Sequence, residues 1–175
     1  ISRAIKMYVR FKSETKEDEL PESTAISGKR KENFRFHINY KEGENWSFAN
    51  RFETSLIDFD DTKTNGYMLY QDIKYKPLFS KFSFTSRYVL FNAIEYDNRI
   101  YAYENDVLYG YSIPAYYGKG NKSYVVIKYN PIRNVDLWLR FAHTTYTDRT
   151  AIKSGWDEIE GNKMTEIKLQ LRYKF

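Results

Sequence analysis

A two-residue alternation of apolar and polar side chains runs along nearly the whole chain, and no stretch offers a competing helical period. In Glu166-Ile167-Lys168-Leu169-Gln170-Leu171-Arg172-Tyr173-Lys174-Phe175 every odd position is apolar or aromatic and every even one is charged or an amide. Successive side chains of a β-strand point to opposite faces, so such a run makes a strand with one apolar and one polar face. Ile5, Met7, Val9 and Phe11 alternate with Lys6, Tyr8, Arg10 and Lys12, and Phe34, Phe36, Ile38 and Tyr40 with Arg35, His37, Asn39 and Lys41. Trp46, Phe48 and Phe52 oppose Ser47, Ala49, Arg51 and Glu53; Tyr67, Leu69, Ile73 and Tyr75 oppose Tyr70, Asp72, Lys74 and Lys76. Phe82, Phe84, Tyr88 and Leu90, then Val125, Ile127 and Tyr129, then Val135, Leu137, Leu139 and Phe141 continue the pattern. The 17 Tyr and 12 Phe suit strands as well.

These runs predict about eight strands of roughly the ~9–11 residues that cross an outer membrane. No apolar run approaches the ~20 residues of a membrane-spanning helix. The mean hydropathy of −0.71 does not exclude a barrel, because alternating strands average to a polar value. Short turns are expected at residues 42–45, 77–79 and 131–134, and longer polar loops at 14–30, 58–66, 93–121 and 147–162. Short turns on one side and long loops on the other are the outer-membrane barrel pattern, with the short-turn side and the C-terminus periplasmic. Residues 99–118, rich in Tyr, are too strand-like for a plain loop. An extra hairpin there, closing at a Gly118-Lys119-Gly120-Asn121 turn, would raise the count to ten.

Alternation alone does not say which face points outward. An eight-stranded interior is only wide enough to be filled by side chains. The apolar faces carry too many Phe, Tyr and Trp residues for that space. Turned outward they form a lipid-facing band, with Tyr40, Trp46, Tyr75, Tyr129 and Tyr173 as a girdle near the short turns. The expected fold is therefore all-β, a single-domain antiparallel transmembrane outer-membrane β-barrel over residues 1–175. The alternative is a soluble β-barrel or sandwich that binds an apolar ligand. The chain begins at Ile1 with no initiator Met and no signal pattern, which reads as a processed product or the C-terminal part of a larger barrel.

Leu171, Tyr173 and Phe175 at the end of an alternating strand resemble the signal read by the barrel-assembly machinery of Gram-negative bacteria. A broader likeness runs through residues 14–22 and 99–109, Ile113-Pro114-Ala115-Tyr116-Tyr117-Gly118-Lys119-Gly120 and Asp157-Glu158-Ile159-Glu160-Gly161-Asn162. These resemble the barrel region of a Bacteroidetes-type outer-membrane family known chiefly for an N-terminal helix-hairpin-helix region. The resemblance implies a longer full chain. It also implies outer-membrane lipid, lipopolysaccharide, the assembly machinery and other envelope proteins as partners. The alternative function is a DNA-binding or uptake-related outer-membrane protein, resting on the upstream helix-hairpin-helix module, which these residues do not contain, and on a basic lumen.

The polar face is basic, in keeping with a net charge of +5. Arg10, Arg35, Arg51, Lys74, Arg87, Lys128, Arg140, Lys168 and Arg172 would line a lumen, where rings of Lys and Arg favour anions. The plainer reading is a lumen neutralised by acids on further strands or by a plug. His37 and His143, the only histidines, fall on opposite faces and cannot share a site. No Ser or Asp nucleophile pairs with either, so no enzymatic activity is expected. Gly118-Lys119-Gly120-Asn121-Lys122-Ser123 lacks the spacing of a phosphate loop. The acidic residues Glu14, Glu17, Asp18, Glu19 and Glu22, like Asp58, Asp60 and Asp61, lack calcium-loop spacing and read as solvated loops. With no Cys there is no disulfide or thiolate site, and no cofactor or metal is expected. The expected function is a porin-like envelope channel or a component of a larger outer-membrane complex.

Overall fold

The computed structural model describes residues 4–19 and 26–175. In chain order the strands are β1 (Ile5–Glu19), β2 (Ile26–Glu42), β3 (Trp46–Phe59), β4 (Thr62–Tyr75), β5 (Phe82–Ala93), β6 (Ile100–Tyr101), β7 (Ala115–Tyr116), β8 (Gly118–Tyr129), β9 (Val135–Tyr146), β10 (Ala151–Ile152), β11 (Ile159–Glu160) and β12 (Lys163–Tyr173). Eight of them form one antiparallel sheet in the order β1-β2-β3-β4-β5-β8-β9-β12. β6 pairs with β7, and β10 with β11, as two small separate hairpins. Among the described residues there is no α-helix. The sheet is open: β1 pairs only with β2, and β12 only with β9.

The two faces of the sheet are sorted as the alternation predicts. On one face Phe34, Phe52, Leu69, Leu90, Phe141 and Leu169 are exposed, Leu169 by 75%. On the other Arg51, Glu53, Arg87, Asp136 and Arg140 are buried, Arg140 to 2% exposure. The lower margin of the apolar face runs Tyr40, Trp46, Tyr75, Phe82, Tyr129, Val135 and Tyr173. Trp46 lies two residues beyond the partner of Tyr40, Phe82 two beyond that of Tyr75, and Val135 two beyond that of Tyr129. That stagger averages about one residue per strand. At ~3.3 Å rise and ~4.8 Å spacing it corresponds to a strand tilt of about 35°, close to that of barrel strands.

Several connections differ from the sequence reading. Residues 14–30 are not a long loop: β1 and β2 continue paired up to Glu19 and Ile26, and only residues 20–25, outside the described residues, separate them. The acidic residues Glu14 to Glu19 therefore sit in a strand, and Glu14 pairs with Lys12 at 2.5 Å. Glu22 lies outside the described residues. Residues 58–66 form a tight hairpin whose turn residues Asp60 and Asp61 have φ of 50° and 57°. Two consecutive positive φ values give the turn hand that matches strand twist, and Asp tolerates them. Gly118-Lys119-Gly120-Asn121 is the start of β8 and not a turn, because Gly120 lets β8 pack closely. A Cβ there would lie 2.3 Å from the Thr145 carbonyl oxygen and 3.1 Å from the Phe91 ring. The Tyr-rich segment does form a hairpin, β6–β7, extended by a bridge between Glu104 and Ser112. It stays outside the main sheet, so that sheet has eight strands and not ten.

Candidate functional site

The site is the polar face together with the segment between β5 and β8, which folds back onto it. A line of small residues makes room for the segment. Ser55, Gly66 and Ala93 are cross-strand neighbours or lie near one row of β3, β4 and β5, and all three point to the polar face. The Asn98 side chain fits against Gly66, where an added Cβ would lie 3.1 Å from the Asn98 Cβ and 2.8 Å from that of Ala93. Its fully buried amide lies 3.2 Å from Ser55 Oγ and 2.7 Å from Thr64 Oγ1. Ile100, Ala102 and Tyr116 then pack on Met68, Tyr70, Val89 and Phe91 in the main apolar cluster. The inner face of the hairpin is thereby buried. Its outer face presents Tyr101, Tyr103 and Tyr111 to solvent, the last two with ring centroids 5.8 Å apart.

Charge does the rest of the docking. Arg51 donates to the Tyr101 carbonyl at 3.0 Å, and Arg87 to the Tyr103 carbonyl at 2.6 Å. Arg87 is also bidentate to Asp72, at 2.5 and 2.6 Å, and lies 3.8 Å over the Tyr70 ring. Paired guanidinium–carboxylate bonds of this kind are among the stronger ones in proteins. Glu104 enters between β8 and β9, where it meets Arg140 at 2.5 Å, Lys122 at 2.6 Å and the Tyr116 hydroxyl at 2.5 Å. Asp106 accepts from Lys168 at 2.8 Å and from the Val107 amide. Burial alone would raise the Asp106 carboxyl, but these hydrogen bonds and the Arg140 charge hold it below its ordinary value. Tyr116 is pushed well above the ordinary phenol range, first by burial and then by the neighbouring Glu104 charge.

The basic residues singled out in the sequence all lie on this face, but they do not form one ring. Arg10, Arg35 and Arg51 converge on Glu53: Arg35 at 2.7 Å, Arg51 Nε at 2.8 Å and Arg10 at 3.9 Å. Arg140 reaches Glu104, Asp106 and Glu166, Lys168 reaches Asp106 and Glu166, and Lys122 reaches Glu104. Arg172 binds Asp136 at 2.8 Å, joined by Lys174 at 3.0 Å, and also lies 5.3 Å over the Trp138 ring. Lys128 lies 5.4 Å over the same ring. Lys74 lines a separate cavity near the short turns with Lys6 and Asn105. His37 stacks on Tyr8 at 5.2 Å on the polar face, while His143 bonds Thr165 on the other. Leu171, Tyr173 and Phe175 are exposed on the apolar face. Among the described residues no group of His, Asp and Glu is placed to hold a metal.

Sequence reasoning missed Asn98, Glu104 and Asp106. For Asn98 the small residues of its seat were the available signal: Ser55, Gly66 and Ala93 interrupt an otherwise bulky polar face. The chain matches no protein-family model, no curated protein and no solved structure.

Proposed function

We propose that the chain is a wall of a bacterial outer-membrane β-barrel, with its polar face toward the lumen and the 94–117 segment as a built-in plug. It would serve as a closed envelope channel or as a component of a larger outer-membrane complex. The observation that carries this reading is the inversion of the two faces. Each Leu, Phe or Ile left in water forgoes about 1.5–3 kcal/mol of burial, and here a whole apolar face of the sheet is exposed while arginines on the other face are buried. A lipid surroundings reverses that account. The aromatic margin Tyr40, Trp46, Tyr129 and Tyr173, staggered as barrel tilt requires, suits a membrane interface.

Closure on these eight strands would leave no space for the plug, since an eight-stranded interior is filled by its own side chains. The reading therefore calls for further strands beyond β1 and β12. Purified protein should need detergent to remain monodisperse and should insert into lipid vesicles with Trp46 in an apolar environment. A monodisperse preparation without detergent would overturn the membrane reading.

A further inference from the structure

Between β1, β2 and the docked segment lies a cavity of about 290 Å³. Its walls carry five cations, Arg10, Lys12, Lys31, Arg35 and Arg99, against two carboxylates, Glu14 and Glu53. The imbalance is built into the strand register. Arg10 stands directly opposite Arg35, a like-charge pairing that destabilises a sheet unless a counter-charge is present. Glu53 is the nearest carboxylate and is shared among Arg10, Arg35 and Arg51. Glu14 is taken by Lys12 at 2.5 Å and Lys16 at 3.9 Å. Lys31 donates to the Asp97 carbonyl and not to a carboxylate. Arg99 is held in place by the Tyr101 hydroxyl at 2.8 Å and reaches Asp97 at 3.6 Å, which Lys29 also binds.

We propose that this cavity binds a compact, multiply charged oxyanion of the phosphate or diphosphate class. Guanidinium groups present paired N–H donors that match such oxygens, and Arg10 of β1, Arg35 of β2 and Arg99 of the docked segment all line the cavity. The cavity opens on the polar face, away from the exposed apolar one, so the ligand is a free solute and not a lipid headgroup. The site does not depend on that face lining a pore.

Titration calorimetry of the full chain with inorganic pyrophosphate at fixed ionic strength tests the site. Saturable binding is expected, weakened about tenfold or more by Arg10→Gln or by Arg99→Gln, as the loss of a charged hydrogen bond implies. Lys12→Gln, on the open edge strand, should weaken it too even if Arg99→Gln unseats the hairpin. Lys74→Gln, at the far end of the same face, should leave it unchanged. No saturable binding by the unaltered chain would overturn the site. So would an equal loss in Lys74→Gln, which would mean diffuse attraction, or binding to phosphatidylglycerol vesicles alone. Pyrophosphate binding by a protein that stays monodisperse without detergent would keep this site and reject the barrel.

Discussion

Glu104 is fully buried, and two cations and a phenol converge on it. Arg140, Lys122 and the Tyr116 hydroxyl all reach it from β9, β8 and β7. Removing one partner from a buried ionic cluster typically costs about 3–5 kcal/mol, because the remaining charges lose compensation. Glu104→Leu should therefore release the hairpin, accelerating exchange of the Ala102 and Glu104 amides about a hundredfold or more. Glu104→Gln, which keeps hydrogen bonding, should show a smaller effect. Two other residues set the pH range of docking. The depressed Asp106 carboxyl contributes fully above its ordinary value of 3.8, and that contribution is lost as pH falls through the lowered value. Tyr116 has the opposite sign. Its raised phenol favours the docked state below 10.0, and that contribution fades as pH rises beyond. Amide exchange of the hairpin should thus be slowest on a plateau between about pH 4 and 10 and rise on both sides. Once corrected for intrinsic exchange, a rise on one side only would contradict the other side's assignment, and a flat profile would contradict both.

At the level of the element, the hairpin is held by shape before charge. Asn98 needs the space at Gly66, and Ile100 and Ala102 need the apolar patch of Met68, Val89 and Phe91. Gly66→Val would fill that seat and drive against Ala93 and Asn98, so the segment should undock while β3–β4 pairing survives. Chymotrypsin cleavage at Tyr103 and Tyr109 should then become fast, with far-UV circular dichroism nearly unchanged. The long strands were legible in the sequence because alternation reports directly on a two-faced sheet. Even the sorting of Phe34 from Arg35, or Leu139 from Arg140, could be read residue by residue. The hairpin was legible as a strand-like run with tyrosines at 101, 103, 109, 116 and 117, but its docking was not. Its seat depends on which residues of β3, β4 and β5 stand side by side, and that register appears in no single strand. Pairing of Arg140 with Glu104, 36 residues away, was hidden for the same reason. The strand acids Glu53, Asp72, Asp136 and Glu166 could be read beside the basic residues, whereas Asp97, Glu104 and Asp106 reach that face only through the fold of the segment between β5 and β8.

For the whole molecule, the hairpin lowers the positive charge of the polar face. Asp97, Glu104 and Asp106 of the inserted segment meet Lys29, Lys122, Arg140 and Lys168 of the sheet. If the sheet belongs to a barrel wall, the same segment both fills the lumen and lowers its positive charge. Replacing residues 97–113 with a short Gly-Ser linker removes those three carboxylates, leaving, among the described residues, Lys122 without a carboxylate and Lys29, Arg140 and Lys168 with only Asp18 and Glu166. In planar bilayers the unaltered protein should then show little conductance. The shortened protein should conduct steadily, with a reversal potential in a salt gradient on the anion-preferring side, since Lys and Arg linings attract anions. The preference should weaken as salt rises from 0.1 M to 1 M, because the screening length falls from about 10 Å to about 3 Å. Equal conductance before and after the replacement would show that the segment does not block a pore. Cation preference in the shortened protein would show that Arg140, Lys122 and Lys168 do not line one.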